Sequence, residues 1–146
     1  VLQWSAARFY IDTGPKLIFG GNAAGGLHPS DFVWIADFAT GSVRQIAFHA
    51  HFDDTGMTGN AALSTDASVL AFSIGMSKLA CCFVDNYISQ GDRILVADLR
   101  EGKQIASVAP PQKKSPLGFA VDRRGTKAVL LVNWGDGWER KEFSVP

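Results

Sequence analysis

The residues best suited to chemistry lie together in one short stretch, His49-Ala50-His51-Phe52-Asp53-Asp54. Imidazole nitrogens and a carboxylate form the donor set of a divalent zinc site. In an extended strand, residues two apart point to the same face, so His49 and His51 would stand side by side with Asp53 or Asp54 completing the set. The competing reading is a polar loop that leaves an apolar strand and runs into Thr55-Gly56. The chain favours that loop, because no histidine follows His51 to supply a further ligand.

Two other stretches have a functional and a plain reading. Gly20-Gly21-Asn22-Ala23-Ala24-Gly25-Gly26 has the glycines that let backbone amides approach phosphate oxygens. Phosphate loops lead into a helix and supply Lys-Ser or Lys-Thr, whereas this one leads into Leu27-His28-Pro29-Ser30-Asp31, so a connection between strands is expected. Lys113, Lys114, Arg123, Arg124, Lys127, Arg140 and Lys141 lie near Trp134 and Trp138, a mixture that can bind single-stranded nucleic acid. Asp122, Asp136, Glu139 and Glu142 interrupt the cations, so solvated turns are expected, with both tryptophans packed between layers and no nucleic-acid partner. There is no Gly-x-Ser-x-Gly nucleophile elbow. No catalytic residue and no cofactor are assigned.

Such groups need strands to hold them, and the strands repeat. VWIADFATGSVRQI, from Val33 to Ile46, is echoed by ILVADLREGKQI, from Ile94 to Ile105. In each, an apolar run reaches Ala-Asp, a glycine follows four residues after the Asp, and a second run ends in Gln-Ile. That is the pattern of strand, tight turn and partner strand. A second kind of unit occurs three times, at Ala7 to Gly21, Ala62 to Gly75 and Gly118 to Asn133. Its polar turns place Gly14, Ala67 and Gly125 at equivalent positions, 53 and 58 residues apart, while Asp37 and Asp98 are 61 apart. Repetition at such a period marks a repeat architecture. No helical period interrupts it, so the chain reads as all-β with about four strands per repeat.

With 146 residues, 47% of them hydrophobic, the chain can build a core without staples. Lys plus Arg equals Asp plus Glu at 14 each, so no overall field draws in nucleic acid or acidic lipid. No stretch approaches the roughly 20 apolar residues of a membrane helix, so no membrane partner is expected. The adjacent Cys81 and Cys82 read as buried strand thiols and leave the redox compartment open. Nothing ahead of Trp4 resembles a charged n-region with an apolar h-region, so a processed or excised piece is expected and the compartment is unassigned.

Together these units look like a β-propeller of the WD40-like or YVTN-like kind, in which each blade is a four-stranded antiparallel sheet. ILVADLREGKQI is the closest match, followed by VWIADFATGSVRQI and ALSTDASVLAFS. No Gly-His and Trp-Asp pair marks a blade, and the repeats exceed the WD40 norm of about 40 to 45 residues. The extra length is expected as two insertions between second and third strands, Asn22 to Asp31 and Met76 to Asp92. The resemblance implies a partial propeller of about three blades, with repeats near 7–61, 62–117 and 118–146. Propellers close with about four to eight blades, so a C-terminal part of a longer disc is expected. Open edges would then meet the remaining blades or drive self-association.

The histidine stretch also resembles the His-x-His-x-Asp-His metal motif of the metallo-β-lactamase fold, but Asp54 stands at the last position where that family has His. The propeller resemblance implies a non-catalytic platform that presents inter-strand loops to a protein or peptide partner. Phe83, Asn86 and Tyr87 in one insertion and His28 in the other are the expected partner-binding residues, because binding residues concentrate on loops held by a rigid scaffold. Phe83 and Tyr87 could equally pin the long loop to its blade. The alternative is part of a propeller enzyme, quinoprotein-like or lactonase-like, with a site shared among blades.

Overall fold

A computed structural model describes residues 4–23, 31–48, 54–79 and 87–146. Three antiparallel sheets follow one another along the chain. The first runs β1 (Trp4–Asp12), β2 (Lys16–Ala23), β3 (Asp31–Asp37) and β4 (Ser42–Phe48), each strand paired with the next. The second repeats that plan with β5 (Asp54–Leu63), β6 (Val69–Leu79), β7 (Tyr87–Asp98) and β8 (Lys103–Val108). The third has β9 (Gly118–Arg124), β10 (Lys127–Asn133) and β11 (Trp138–Ser144). A short 3-10 turn, Pro111–Lys113, lies between the second and third sheets.

The sheets stack face on face, and the main contacts between them run from β1 to β5 and from β5 and β6 to β9. The outer strands β4 and β8 touch far less. First strands inside and fourth strands splayed outward are the geometry of a partial β-propeller with three blades.

The middle sheet explains why its strands read as nearly unbroken apolar runs. Leu70, Phe72 and Ile74 face the first sheet, joining Phe9, Ile18, Val33, Ile46 and Phe48. Their neighbours Val69 and Ala71 face the third sheet, joining Val121, Ala128, Leu130 and Val132. Both faces of such a sheet leave water, so the usual alternation of apolar and polar residues disappears.

The two Ala-Asp echoes form the third and fourth strands of successive sheets, as the repeat predicts. Their Gln-Ile endings, however, do not occupy equivalent places. Val33 pairs with Ile46, whereas its counterpart Ile94 pairs with Val108. Ile105 is an extra residue in β8, between Gln104 opposite Ala97 and Ala106 opposite Val96. A one-residue bulge of this kind shifts register without leaving a sequence mark.

Two expected boundaries also move. Much of the Met76 to Asp92 insertion is strand rather than loop: Ser77 pairs with Ser89, Lys78 with Ile88 and Leu79 with Tyr87. The hairpin continues past a register shift between Gly75 and Ser77, and Gly91 takes a φ of 87° there. β5 begins at Asp54, inside the span expected for the first repeat, because bulges let Gly56 and Gly59 stay within a strand.

Candidate functional site

Aspartates build the tight turns at one end of the stack. Asp37 Oδ1 accepts hydrogen bonds from the amides of Ala39 (3.0 Å) and Thr40 (3.3 Å), and Gly41 N–H donates to the Asp37 carbonyl at 2.9 Å. Asp98 repeats this with Arg100 (3.0 Å) and Gly102 (2.9 Å). Gly41 and Gly102 have φ of 70° and 68°, the left-handed region such a turn requires. The next amide in each case bonds to the neighbouring turn, Phe38 to the Pro15 carbonyl (3.3 Å) and Leu99 to that of Ser68 (2.9 Å). Val145 makes the same bond to Thr126 (2.8 Å), which identifies β11 as the third strand of its blade.

In the turn between β5 and β6, Asp66 Oδ1 accepts from the Ser68 hydroxyl (2.7 Å), the Ser64 hydroxyl (2.7 Å) and the Ser68 amide (3.1 Å). Arg100 lies 3.4 Å from its other oxygen. Chiefly through the Ser68 hydroxyl, these bonds hold the Asp66 carboxyl at about 2, below its ordinary value.

Where the tight turns of the first two sheets meet, a cleft of about 560 Å³ opens. Ile18, Ile35 and Leu99 give it an apolar lining; Lys16, Arg44 and Arg100 face Asp37 and Asp66 around them. Arg44 reaches from β4 across the seam, and its Nη1 donates to the carbonyls of Leu99 (2.9 Å) and Arg100 (3.2 Å). Those acceptors are neutral, so the guanidinium charge is not cancelled. A side chain at residue 102 would strike the Arg44 guanidinium, so glycine there serves the seam as well as the turn. Among the described residues neither Lys16 nor Arg44 enters an ion pair.

The second seam has a different tie at the same end. The Thr65 amide (3.2 Å) and hydroxyl (2.9 Å) both donate to Asp122 Oδ1 on β9. Those two bonds, the amide first, lower the Asp122 carboxyl from its ordinary value.

His28, His49, His51, Asp53, Phe83 and Asn86, like Cys81 and Cys82, lie outside the described residues. Tyr87 opens β7 opposite Leu79. The strand ends that flank 24–30, 49–53 and 80–86 are those opposite the tight turns. Gly20 proves to be a packing residue: a Cβ there would fall on the Phe9 ring and 2.8 Å from the Met57 sulfur.

The C-terminal cations are mostly paired, Lys114 with Asp136 (2.8 Å), Arg124 with Asp122 (3.0 Å) and Lys127 with Glu142 (3.2 Å). Trp134 is buried between the second and third sheets, but Trp138 is 63% exposed, correcting the expectation that both are packed. Sequence reasoning missed the cleft itself. Arg44 carries no motif, and its partners are main-chain carbonyls in a distant turn.

No family model and no curated protein matches the chain. Among solved structures it is similar to hydrazine synthase from Kuenenia stuttgartiensis, with 16% identity over 84% of this chain and a TM-score of 0.48. The match takes in 35% of that chain, so this one spans about a third of its length.

Proposed function

We propose that the protein is a non-catalytic interaction platform, made of WD40-like or YVTN-like blades of a longer propeller, that receives a protein or peptide partner. The observation that supports this most is the cleft between the first two blades. Its walls are turns already tied by their own hydrogen bonds, so a partner would lose little free energy in ordering them. An apolar lining beside Lys16 and Arg44 suits an extended peptide that inserts an apolar side chain and flanks it with carboxylates. The partner-binding residues expected from the sequence, His28, Phe83, Asn86 and Tyr87, are the alternative contact if the cleft is not the one used.

Selection of displayed random peptides on the purified protein tests this reading, with Lys16→Glu/Arg44→Glu as counter-selection. Enrichment of acidic-apolar peptides that lose binding on the double variant is expected. Enrichment that is indifferent to the double variant but lost on Phe83→Ala/Tyr87→Ala would move the partner to the loop end. Absence of any enriched sequence would overturn the platform.

A further inference from the structure

A second cleft lies on the first seam away from the tight turns, and its construction is unusual for a sheet. Three register shifts converge beside it, between Asp54 and Gly56, between Met57 and Ala61, and between Gly75 and Ser77. Gly56 and Gly75 sit opposite each other across β5 and β6, and both line the cleft. Both are buried, and a facing pair of glycines leaves room where side chains would otherwise stand, an arrangement that marks close approach by a ligand or another chain. Bulges likewise gather beside binding sites, where they re-aim side chains. Here the bulge of β5 keeps Thr58 exposed at the cleft, with its hydroxyl bonded to that of Ser73.

The cleft holds about 480 Å³, the size of a small-molecule site. Arg8, from the first sheet, and Asp92, from the second, both line it. Neither enters an ion pair among the described residues, with the other or with anything else. Opposite charges that share a cleft without meeting leave both unneutralised and set apart. The Asp92 backbone is fixed by its amide, which donates to the Lys114 carbonyl at 3.1 Å, so its position on β7 is held from outside the cleft. Thr58, Ser77 and Ser89 line the same cleft and bring hydroxyls, neutral donors and acceptors.

From this geometry we infer that the cleft binds a small zwitterion of the amino-acid type, its carboxylate on Arg8 and its ammonium on Asp92. Each contact is a charge-assisted hydrogen bond, and only a ligand with both charges makes both. The inference is independent of the peptide platform, which uses the other end of the seam.

Calorimetric titration of the protein with L-serine tests it, with L-lactate and ethanolamine as probes carrying one charge each. Saturable binding of L-serine is expected, with both single-charge probes weaker by about tenfold or more, given the worth of a charged hydrogen bond. Arg8→Gln and Asp92→Asn should each weaken L-serine by a similar factor, with Arg8→Lys retaining part of the affinity. Lys16→Glu should leave it unchanged, which separates this site from the peptide cleft. No saturable binding of L-serine, equal binding of either single-charge probe, or indifference to both neutralising variants in a folded protein would overturn the assignment.

Discussion

Between the first and second sheets, Phe9, Phe48 and Phe72 meet with ring centroids 6.2 Å and 5.0 Å from Phe72, and Ile18, Leu70 and Leu95 fill around them. Between the second and third sheets the filling is smaller and mostly β-branched: Val69, Val96, Val121, Val132 and Ala128, with Trp134 at the margin. The first seam is closed by a long cation on two carbonyls, the second by a threonine on a carboxylate. The two larger clefts, of about 560 and 480 Å³, lie on the first seam, while the second has one of about 280 Å³ lined by Gly59, Asn60, Ala61 and Phe119.

That contrast is broken most severely by removing its largest contributor. Phe72→Ala deletes a fully buried ring and is expected to cost about 4 kcal/mol, while Val96→Ala, which removes far less volume, should cost about 1.5 kcal/mol. Urea denaturation of the two variants checks this; equal losses would mean that the seams are energetically alike. Arg44→Ala should cost about 2 kcal/mol, since it leaves two carbonyls short of a charged donor, against about 1 kcal/mol for Thr65→Val in the other tie. Arg44→Ala should also make Gly102→Ala less harmful, because the steric part of that substitution disappears while the strained φ remains.

The same contrast shows what was legible in the residues. Hairpins were, because alternation and turn chemistry are local: Gly14, Ala67 and Gly125, equated by alignment, all adopt positive φ, at 92°, 59° and 63°. Register was less so. The bulge at Ile105 hides inside an echo whose second copy is two residues shorter before its Gln-Ile, and the β6–β7 extension hides behind Gly91-Asp92, which looks like a turn. β11 was not legible because only Phe143 of its span, with Val145 just beyond it, packs inward, and its charges read as solvent-facing. The clefts were invisible for a stronger reason. Arg44 with Leu99, and Arg8 with Asp92, are joined only by the way two sheets stack, which no spacing along the chain records.

A smaller effect sharpens the comparison of turns. Ala67 carries a Cβ in a conformation that costs non-glycine residues about 1 kcal/mol, so Ala67→Gly should stabilise by about 0.5 kcal/mol after the entropy of the unfolded glycine is deducted. Gly125→Ala, in the corresponding turn of the third sheet, should destabilise by a similar amount. Thermal melts of both variants decide it, and the same sign for both would break the equivalence of the turns.

The smallest effect expected is that of acid, because the Asp66 side chain is 40% exposed and water screens what its bonds contribute. Its folded-state value, about 2, is below the unfolded one, so the stabilisation is complete above the ordinary aspartate range. It is lost as pH falls from about 4 toward 2. Asp122 is lowered too and acts in the same direction, but its bonds cross the second seam, whereas those of Asp66 stay within one sheet. Asp122→Asn should therefore flatten the acid dependence of the contact between the second and third sheets, read by fluorescence of the buried Trp134. Asp66→Asn should flatten that of global stability while leaving the tryptophan signal's pH midpoint in place. If both variants moved the tryptophan midpoint alike, the two sheets would be unfolding as one unit, and the distinction between the seams would hold for packing but not for cooperativity.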